Sequence, residues 1–180
     1  MRFNNPPIPV DLRRIVFLCL GNICRSAYAH HYFYTINATK KIKVDIIVTS
    51  AGLHVKDQGS PEIAISVAQN RGVDLDQHTP IQITEETVKG ADMVVAMELG
   101  QVEKLCIRYP KYSQKFFLLP FFEERLLYSY NVWHRYHIED PYGKSHQEFA
   151  ACFARIERCV NGLILKISSS DLVQKEWIQS

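Results

Sequence analysis

The fold of this chain is decided by the stretch Arg14-Ile-Val-Phe-Leu-Cys19-Leu-Gly-Asn-Ile-Cys-Arg25-Ser26. Its apolar first part is typical of a buried strand, and Ser26 followed by alanine is typical of the start of a helix. Gly21 and Asn22, in the loop between them, are residue types that tolerate left-handed backbone angles. A strand that runs through a tight loop into a helix indicates an α/β fold, in which ligands bind beyond the carboxyl ends of the strands.

The loop carries a thiol at one end, Cys19, and a guanidinium at the other, Arg25. Backbone N–H groups between them can point inward around an anion, and the following helix adds its positive N-terminal end. Positive surroundings favour the thiolate form of a cysteine, which is the nucleophile, and a guanidinium matches two phosphate oxygens. We therefore predict a phosphate-binding catalytic loop.

The rest of the chain alternates between strand and helix patterns. Strands are predicted at residues 14–19, 43–49, 91–97 and 115–119, and helices at 26–38, 60–72, 84–90, 99–109 and from Phe149 to Ile167. Ser60 is expected to cap the second helix, with Pro61 at its first position. This order of elements predicts a parallel sheet with helices on both faces.

Bulk properties fit one globular domain. The chain has 180 residues, 47% of them hydrophobic, and a formal net charge of +2. So small a charge favours neither nucleic acid nor an anionic membrane as the main partner. The N-terminal residues lack a signal-peptide pattern, and we expect a cytoplasmic protein without membrane insertion. We divide the chain into an extension (1–12), the catalytic domain (13–167) and a tail (168–180).

The chain has five cysteines, an odd number, and no two of them have the Cys-x2-Cys spacing. They therefore look reduced, and no metal site is expected from them. Cys152 and Cys159 fit buried positions of the last helix. Cys24 shares the loop with Cys19, and we hypothesise that a disulfide between the two protects the nucleophile from irreversible oxidation.

A second candidate catalytic group is Asp140, in Asp140-Pro141-Tyr142. A thiolate displaces phosphate from an alcohol only if the leaving oxygen receives a proton, and a carboxylic acid suits that task. Pro141 restricts the backbone of Asp140 and fixes the carboxyl group on a defined loop. Taken alone, the segment would also fit an ordinary turn aspartate.

Together these segments resemble the low-molecular-weight protein tyrosine phosphatases from about residue 13 to residue 167. The matching motifs are Cys19-Leu-Gly-Asn-Ile-Cys-Arg-Ser26, Thr49-Ser-Ala-Gly52, His78 after Gly72-Val-Asp-Leu75, Ala91-Asp92 and Asp140-Pro-Tyr142. The resemblance implies a single three-layer α/β domain whose four-stranded parallel sheet has the order 2-1-3-4, with the phosphate-binding loop after strand 1. It implies no cofactor and no metal.

By this resemblance, Cys19 attacks phosphorus, Arg25 binds the phosphoryl oxygens, and Asp140 protonates the leaving phenolate and then activates water. The remaining implied phosphate-binding and loop-supporting residues are Leu20, Gly21, Asn22, Ile23, Cys24, Ser26, Ser50 and His78. Asn22 is expected to hold the loop in shape with support from Ser50 and His78, and Ser26 to contact the Cys19 sulfur. For His78 alone, a structural histidine is the alternative.

The substrate pocket departs from the common pattern at Leu53, where many relatives carry an aromatic residue. That departure resembles bacterial enzymes that dephosphorylate tyrosine autokinases controlling exopolysaccharide export. We expect Leu53 and Tyr142 to form an aliphatic and an aromatic wall. The aromatic-rich segment 120–137 either packs a lengthened loop, which we favour, or recognises a partner peptide.

Three other functions compete with a tyrosine phosphatase. An arsenate reductase of this fold needs two further relay cysteines, and Cys152 and Cys159 follow Asp140, in the wrong place for a relay. Protein-arginine phosphatases carry threonine where this loop has Ile23. A non-catalytic phosphotyrosine-binding module would need neither Cys19 nor Asp140. We expect a phosphotyrosine protein as partner, a tyrosine autokinase among the candidates, and a monomer or weak dimer.

Overall fold

The computed structural model describes residues 4–40, 46–56, 58–123 and 136–178. Its centre is a sheet of four strands, β1 (Arg14–Cys19), β2 (Ile47–Gly52), β3 (Met93–Ala96) and β4 (Phe116–Leu118). The strands lie in the order β2-β1-β3-β4, and each neighbouring pair is parallel. The predicted sheet and its order are confirmed.

Helices connect the strands as the sequence pattern predicts. They are α1 (Arg25–Lys40), α2 (Glu62–Gln69), α3 (Glu85–Gly90), α4 (Leu99–Arg108) and α5 (His146–Ile178), with 3-10 turns at Pro110–Lys115 and Leu119–Phe122. The backbone of α5 runs past residue 167, so the residues assigned to the tail continue the last helix as far as Ile178. None of the described helices has the length and apolar character needed to cross a membrane.

Among the predicted boundaries that differ in the structure are those of β2 and of α2. Strand β2 begins at Ile47 and extends to Gly52, beyond the predicted end at residue 49, whereas 43–45 lie outside the described residues. The cap of α2 is Pro61 rather than Ser60, because the Pro61 carbonyl accepts the first helical N–H groups, from Ala64 and Ile65. The Ser60 hydroxyl has no hydrogen-bond partner within the described part of the chain.

The sheet is covered on both faces by separate apolar clusters. Side chains at successive strand positions point to opposite faces, and β1 shows this alternation clearly. Ile15 and Phe17 pack in the cluster that contains residues of α1, α2 and α5, whereas Val16 and Leu18 pack in the cluster with α3 and α4. Both clusters consist of buried side chains. In the order β2-β1-β3-β4, β1 is one of the two inner strands, so the loop that follows it lies near the middle of the carboxyl edge of the sheet.

Gly162 lets α5 approach the 3-10 turn at the end of β4. A Cβ atom there would lie 1.8 Å from the Phe122 carbonyl oxygen. We expect Gly162→Ala to lower the free energy of unfolding by about 1–3 kcal/mol, because the clash is with rigid backbone. An alanine in a helix would otherwise stabilise by about 1 kcal/mol relative to glycine. Urea unfolding of the two proteins measures the difference.

The matched control is Gly100→Ala in α4. In the described part of the chain, no heavy atom beyond its neighbours and its own helix backbone lies within 4 Å of the added Cβ. That variant should be neutral or slightly stabilised. Equal destabilisation of both variants would contradict the importance of the Gly162 contact.

Candidate active site

The loop between β1 and α1 rests directly on the backbone at the end of β2. A Cβ atom on Gly52 would lie 2.9 Å from the Leu20 carbonyl oxygen and 3.1 Å from the Asn22 nitrogen. Two further backbone hydrogen bonds tie the loop down, from Leu53 N to Cys19 O (3.0 Å) and from His54 N to Leu20 O (2.8 Å). The absence of a side chain at Gly52 therefore allows the loop to pack against the strand, and the hydrogen bonds hold it there.

The sulfur of Cys19 is buried and surrounded by hydrogen-bond donors. The Asn22 N–H donates to it over 3.2 Å, and the Ser26 hydroxyl oxygen lies 3.0 Å away. The same hydroxyl oxygen accepts a hydrogen bond from Asn22 Nδ2 (2.9 Å), and its single proton can be donated to the sulfur or to the Ala51 carbonyl oxygen, 3.4 Å away. The sulfur, at 3.0 Å, is the nearer acceptor. Donors around a thiolate stabilise its negative charge. The expected contact between Ser26 and Cys19 is present.

Asn22 has left-handed backbone angles, with φ at 57°. That conformation is unfavourable for most residues, and here hydrogen bonds from two sides hold it. Asn22 Oδ1 accepts from the Ile81 N–H (2.8 Å), and the Asn22 carbonyl oxygen lies 2.8 Å from His78 Nε2. The structure therefore places Asn22 and His78 together, in the arrangement that the resemblance implies.

The Ser50 hydroxyl is paired with a histidine of α1. It lies 3.3 Å from Nδ1 of His30. The His30 ring in turn stands edge-on to the His78 ring, with 6.4 Å between their centroids. Among the described residues the Ser50 hydroxyl has no hydrogen bond to the loop itself, and its support of the loop stays a prediction.

Arg25 is held in place by two carboxylates and a carbonyl. Its Nη1 donates to Glu98 Oε1 (2.6 Å) and to the Ile138 carbonyl (2.9 Å), and its Nη2 donates to Asp140 Oδ2 (2.5 Å). Although burial disfavours the charge, the negative groups Cys19, Asp140 and Glu98 together raise the Arg25 pKa. The side chain is 1% exposed, and its Nε has no partner among the described residues. A charged donor is therefore buried without an acceptor.

Glu98 is a site residue that the sequence analysis missed. It follows β3, the neighbour of β1, at the same edge of the sheet as the loop. Besides Arg25, it accepts a hydrogen bond from Gln101 Nε2 (2.6 Å). An acidic residue directly after a central parallel strand was the signal that could have identified it.

Asp140 lies close to the loop because its segment is hydrogen-bonded to the residue that follows β3. The Ile138 N–H donates to the Met97 carbonyl (2.9 Å), and the Tyr142 N–H donates to Asp140 Oδ1 (3.2 Å). The Asp140 side chain is 40% exposed, so solvent and a substrate can reach it. With Cys19 and Arg25 it lines a cavity of about 190 Å³. Two segments that are distant in sequence thus meet at one site.

The cavity walls differ in part from the prediction. Tyr142 is a wall, as expected, but Leu53 is not among the lining residues and packs against the apolar cluster on the α3 and α4 side of the sheet. Burial there removes its aliphatic side chain from water, which is favourable. The sequence analysis did not identify the polar part of the wall, which is formed by His54, Lys56 and Gln58. The remaining lining residues are Leu20, Gly21, Ile23 and Cys24.

All five cysteines are free thiols in the structure. Cys24 lines the same cavity as Cys19, and burial strongly raises its pKa. Cys159 is fully buried in the core, and Cys152 packs at the edge of the core with its pKa raised by burial to about 12. Cys24 is therefore a protonated neighbour of Cys19, and the protective disulfide stays a hypothesis.

The aromatic-rich segment is described only at its ends. Phe122 is buried in the core, and the rings of Phe121 and Tyr136 contact each other edge-to-face at 5.5 Å. Residues 124–135, with Tyr128, Tyr130 and Trp133, lie outside the described residues. At both described ends, the aromatic side chains pack within the domain.

Comparison with known proteins gives one consistent family. Residues 14–176 match the family model described as low molecular weight phosphotyrosine protein phosphatase. The low molecular weight protein-tyrosine-phosphatase Wzb of Escherichia coli K12 is 30% identical over 145 residues, 80% of this chain and 88% of that protein.

Solved structures with the same fold include two kinds of phosphatase. The tyrosine phosphatase Wzb of Escherichia coli K30, in complex with sulphate, is similar at a TM-score of 0.71, with 25% identity over 86% of this chain and 98% of that one. The YwlE arginine phosphatase of Geobacillus stearothermophilus is similar at a TM-score of 0.74, with 25% identity over 89% of this chain and 96% of that one.

Proposed function

Since the chain belongs to the low molecular weight phosphotyrosine protein phosphatase family, we propose that it hydrolyses phosphotyrosine in proteins through a cysteinyl-phosphate intermediate. In this proposal Cys19 is the nucleophile, Arg25 binds the phosphoryl group, and Asp140 is the general acid and base. The observation that carries the proposal is the unpartnered Nε of the buried Arg25, in the same cavity as the Cys19 sulfur. A buried charged donor without an acceptor is costly unless an anion binds to it.

The first step transfers the phosphoryl group to the sulfur. The Cys19 thiolate attacks phosphorus, the S–P bond forms, and the bond to the phenolic oxygen breaks. The phosphoryl group takes the place of Asp140 on the Arg25 guanidinium, and Asp140 enters this step protonated. It gives its proton to the phenolic oxygen, so tyrosine leaves as a neutral phenol. Arg25 and the loop N–H groups stabilise the charge on the equatorial oxygens, and the reaction uses no metal or cofactor.

The second step releases phosphate. Asp140, now a carboxylate, takes a proton from water, which attacks phosphorus as the S–P bond breaks. Cys19 leaves as a thiolate, stabilised by the N–H of Asn22 and the hydroxyl of Ser26, which lie 3.2 and 3.0 Å from the sulfur. The enzyme then returns to its starting state, and the products are tyrosine and inorganic phosphate.

The cavity walls favour an aryl phosphate. Tyr142, 55% exposed at the mouth of the cavity, offers a ring against which a substrate ring can stack. The substrate we propose is a phosphotyrosine protein in the cytoplasm, and a tyrosine autokinase of exopolysaccharide export is the candidate by resemblance to the bacterial members. A monomer or weak dimer remains our expectation.

A protein-arginine phosphatase is the second candidate, because the fold is also that of an arginine phosphatase. Ile23 is the residue that we expect to decide between the two substrates, because arginine phosphatases carry threonine at this place in the loop. It lines the cavity with 8% of its surface exposed. Its bulk should favour a flat aryl group over a guanidine, by about 1–3 kcal/mol.

A comparison of substrates tests the proposal. With purified protein, kcat/KM for a phosphotyrosine peptide should exceed that for matched phosphoserine and phosphoarginine peptides by at least about tenfold. Arsenate with thiol should not be turned over. Ile23→Thr should narrow the gap in kcat/KM between phosphotyrosine and phosphoarginine, whereas His54→Gln, another residue of the cavity wall, should not. Turnover of phosphoarginine alone, or of arsenate alone, would overturn the proposal, and binding without turnover would indicate a binding module.

A further inference from the structure

Three histidine side chains meet on the side of the catalytic loop away from the cavity. His30 and His31 belong to α1, and His78 follows α2 in sequence. Each offers one ring nitrogen, and the three nitrogens lie within 4.8 Å of one another. Nε2 of His31 and Nδ1 of His78 are 3.2 Å apart. None of the three lines the catalytic cavity.

The hydrogen bonds around His78 make the nitrogen that faces the cluster an acceptor. Its Nε2 is 2.8 Å from the Asn22 carbonyl oxygen, which can only accept, so Nε2 carries the proton. Nδ1 therefore has a lone pair, which accepts the hydrogen bond from His31 Nε2 over 3.2 Å and which a cation can take in its place. A histidine that donates one N–H to a carbonyl and offers the other nitrogen is typical of metal ligands in proteins.

The protonation states of the three rings also suit a metal ion. Burial lowers the pKa of His30 to about 4, and it lowers the pKa values of His31 and His78 as well. For His31 the nearby Asp74 carboxylate opposes this shift. Metal ions bind neutral imidazole, and the proton that His31 Nε2 donates to His78 moves to the other ring nitrogen of His31 when an ion binds.

The spacing fits a small tetrahedral ion after a modest movement. Zinc–nitrogen bonds of about 2.0–2.1 Å place two tetrahedral ligands roughly 3.3 Å apart, close to the separation of the His31 and His78 nitrogens. The widest separation among the three nitrogens is 4.8 Å, so binding requires an approach of up to about 1.5 Å, which would come from a rotation of the His30 ring against its Ser50 contact. A cleft lined by His78, Thr79 and Gln82 opens beside the cluster and offers an entry path.

We propose that His30, His31 and His78 form a binding site for a divalent ion of the zinc class, with its fourth position open to water. The bound ion joins α1 to the segment after α2. It also withdraws electrons from the His78 ring, which strengthens the N–H donated to Asn22 and stabilises the catalytic loop. This site is separate from the proposed hydrolysis of phosphotyrosine, which uses no metal.

Calorimetric titration of the full chain with Zn²⁺ alone tests the site. The Cys19→Ser protein is the background, because it removes the catalytic thiolate as a competing ligand. We expect one ion per chain, and at least tenfold weaker binding after a further His30→Gln or His31→Gln change. His54→Gln is the matched control, since it removes a histidine at the cavity wall and should leave the affinity unchanged. Unchanged affinity in both His30 and His31 variants, or an equal loss in the control, would overturn the proposal.

Cobalt spectroscopy keeps the test decisive if a substituted protein does not fold. In the otherwise unchanged Cys19→Ser protein, Co²⁺ should give the intense visible bands of a tetrahedral ion with nitrogen ligands, and Zn²⁺ should displace it. The ion should also raise the thermal unfolding temperature of this protein but not of its His31→Gln variant. Weak bands of octahedral cobalt, or a thiolate-to-cobalt charge-transfer band, would place the ion elsewhere and refute the site.

Discussion

Replacing Cys19 by serine is expected to abolish turnover of phosphotyrosine, lowering kcat by at least about 10⁴-fold. The serine hydroxyl is nearly isosteric with the thiol, but it is protonated at neutral pH and is a poor leaving group in the second step. The Ser26 and Asn22 donors, 3.0 and 3.2 Å from the sulfur, stabilise a thiolate, and they do not act as a base toward a hydroxyl. Steady-state hydrolysis of a phosphotyrosine peptide measures the loss.

Substrate binding should survive in the same variant, because Arg25 and the loop N–H groups remain. The Kd of a phosphotyrosine peptide, measured by calorimetry, should change by less than about tenfold. Cys106→Ser, on α4 and outside the cavity, is the matched control and should keep full activity. If Cys19→Ser retained more than about one per cent of kcat, Cys19 would not be the nucleophile.

Asp140→Asn is expected to lower kcat for phosphotyrosine by about 10²–10⁴-fold. The amide keeps the size of the side chain but cannot deliver a proton to the phenolic oxygen or take one from water. Because the Arg25 partner becomes neutral, the guanidinium is freer to bind phosphate, so KM should stay the same or fall. Steady-state kinetics over a series of aryl phosphates separates the two effects.

The leaving group provides the internal control for Asp140→Asn. A phenol that is already acidic leaves without a proton, so formation of the cysteinyl phosphate from such a substrate should be slowed far less than from phosphotyrosine. Rapid-mixing experiments should then show a burst of phenol followed by slow release of phosphate. A uniform loss across all leaving groups would argue that Asp140 only positions Arg25. Glu139→Gln, one residue earlier, should have little effect.

The sheet and most of the site were predictable because their signals are local. The consecutive residues from Arg14 to Ser26 contain an apolar run, a Gly-Asn pair that permits a tight loop, and the start of a helix. Parallel strands separated by helices then leave few topologies, and the loop must lie at the carboxyl edge. That Asp140 lies beside this loop could be predicted only from the family resemblance. The residues around Asp140 do not distinguish a catalytic aspartate from an ordinary aspartate in a turn.

The parts that sequence reasoning missed depend on where side chains point. Leu53 lies directly after β2, and whether it faces the cavity or the sheet depends on a backbone turn that its own identity does not reveal. The role of Glu98 requires knowing that β3 is the neighbour of β1. His30 and His31 look like ordinary helix residues until β2 and the segment at His78 are packed against them.

Gly52 has an energetic consequence for phosphate binding. Because the loop packs against strand backbone at Gly52 and is hydrogen-bonded to the residues that follow it, its N–H groups already have their direction before an anion arrives. The loop then loses little conformational entropy when an anion binds, so more of the interaction free energy appears as affinity for the phosphoryl group. The rigid sheet in this way holds the N–H dipoles of the loop in place around the reacting phosphoryl group. Because these dipoles are already oriented, they need not reorganise as charge develops in the transition state.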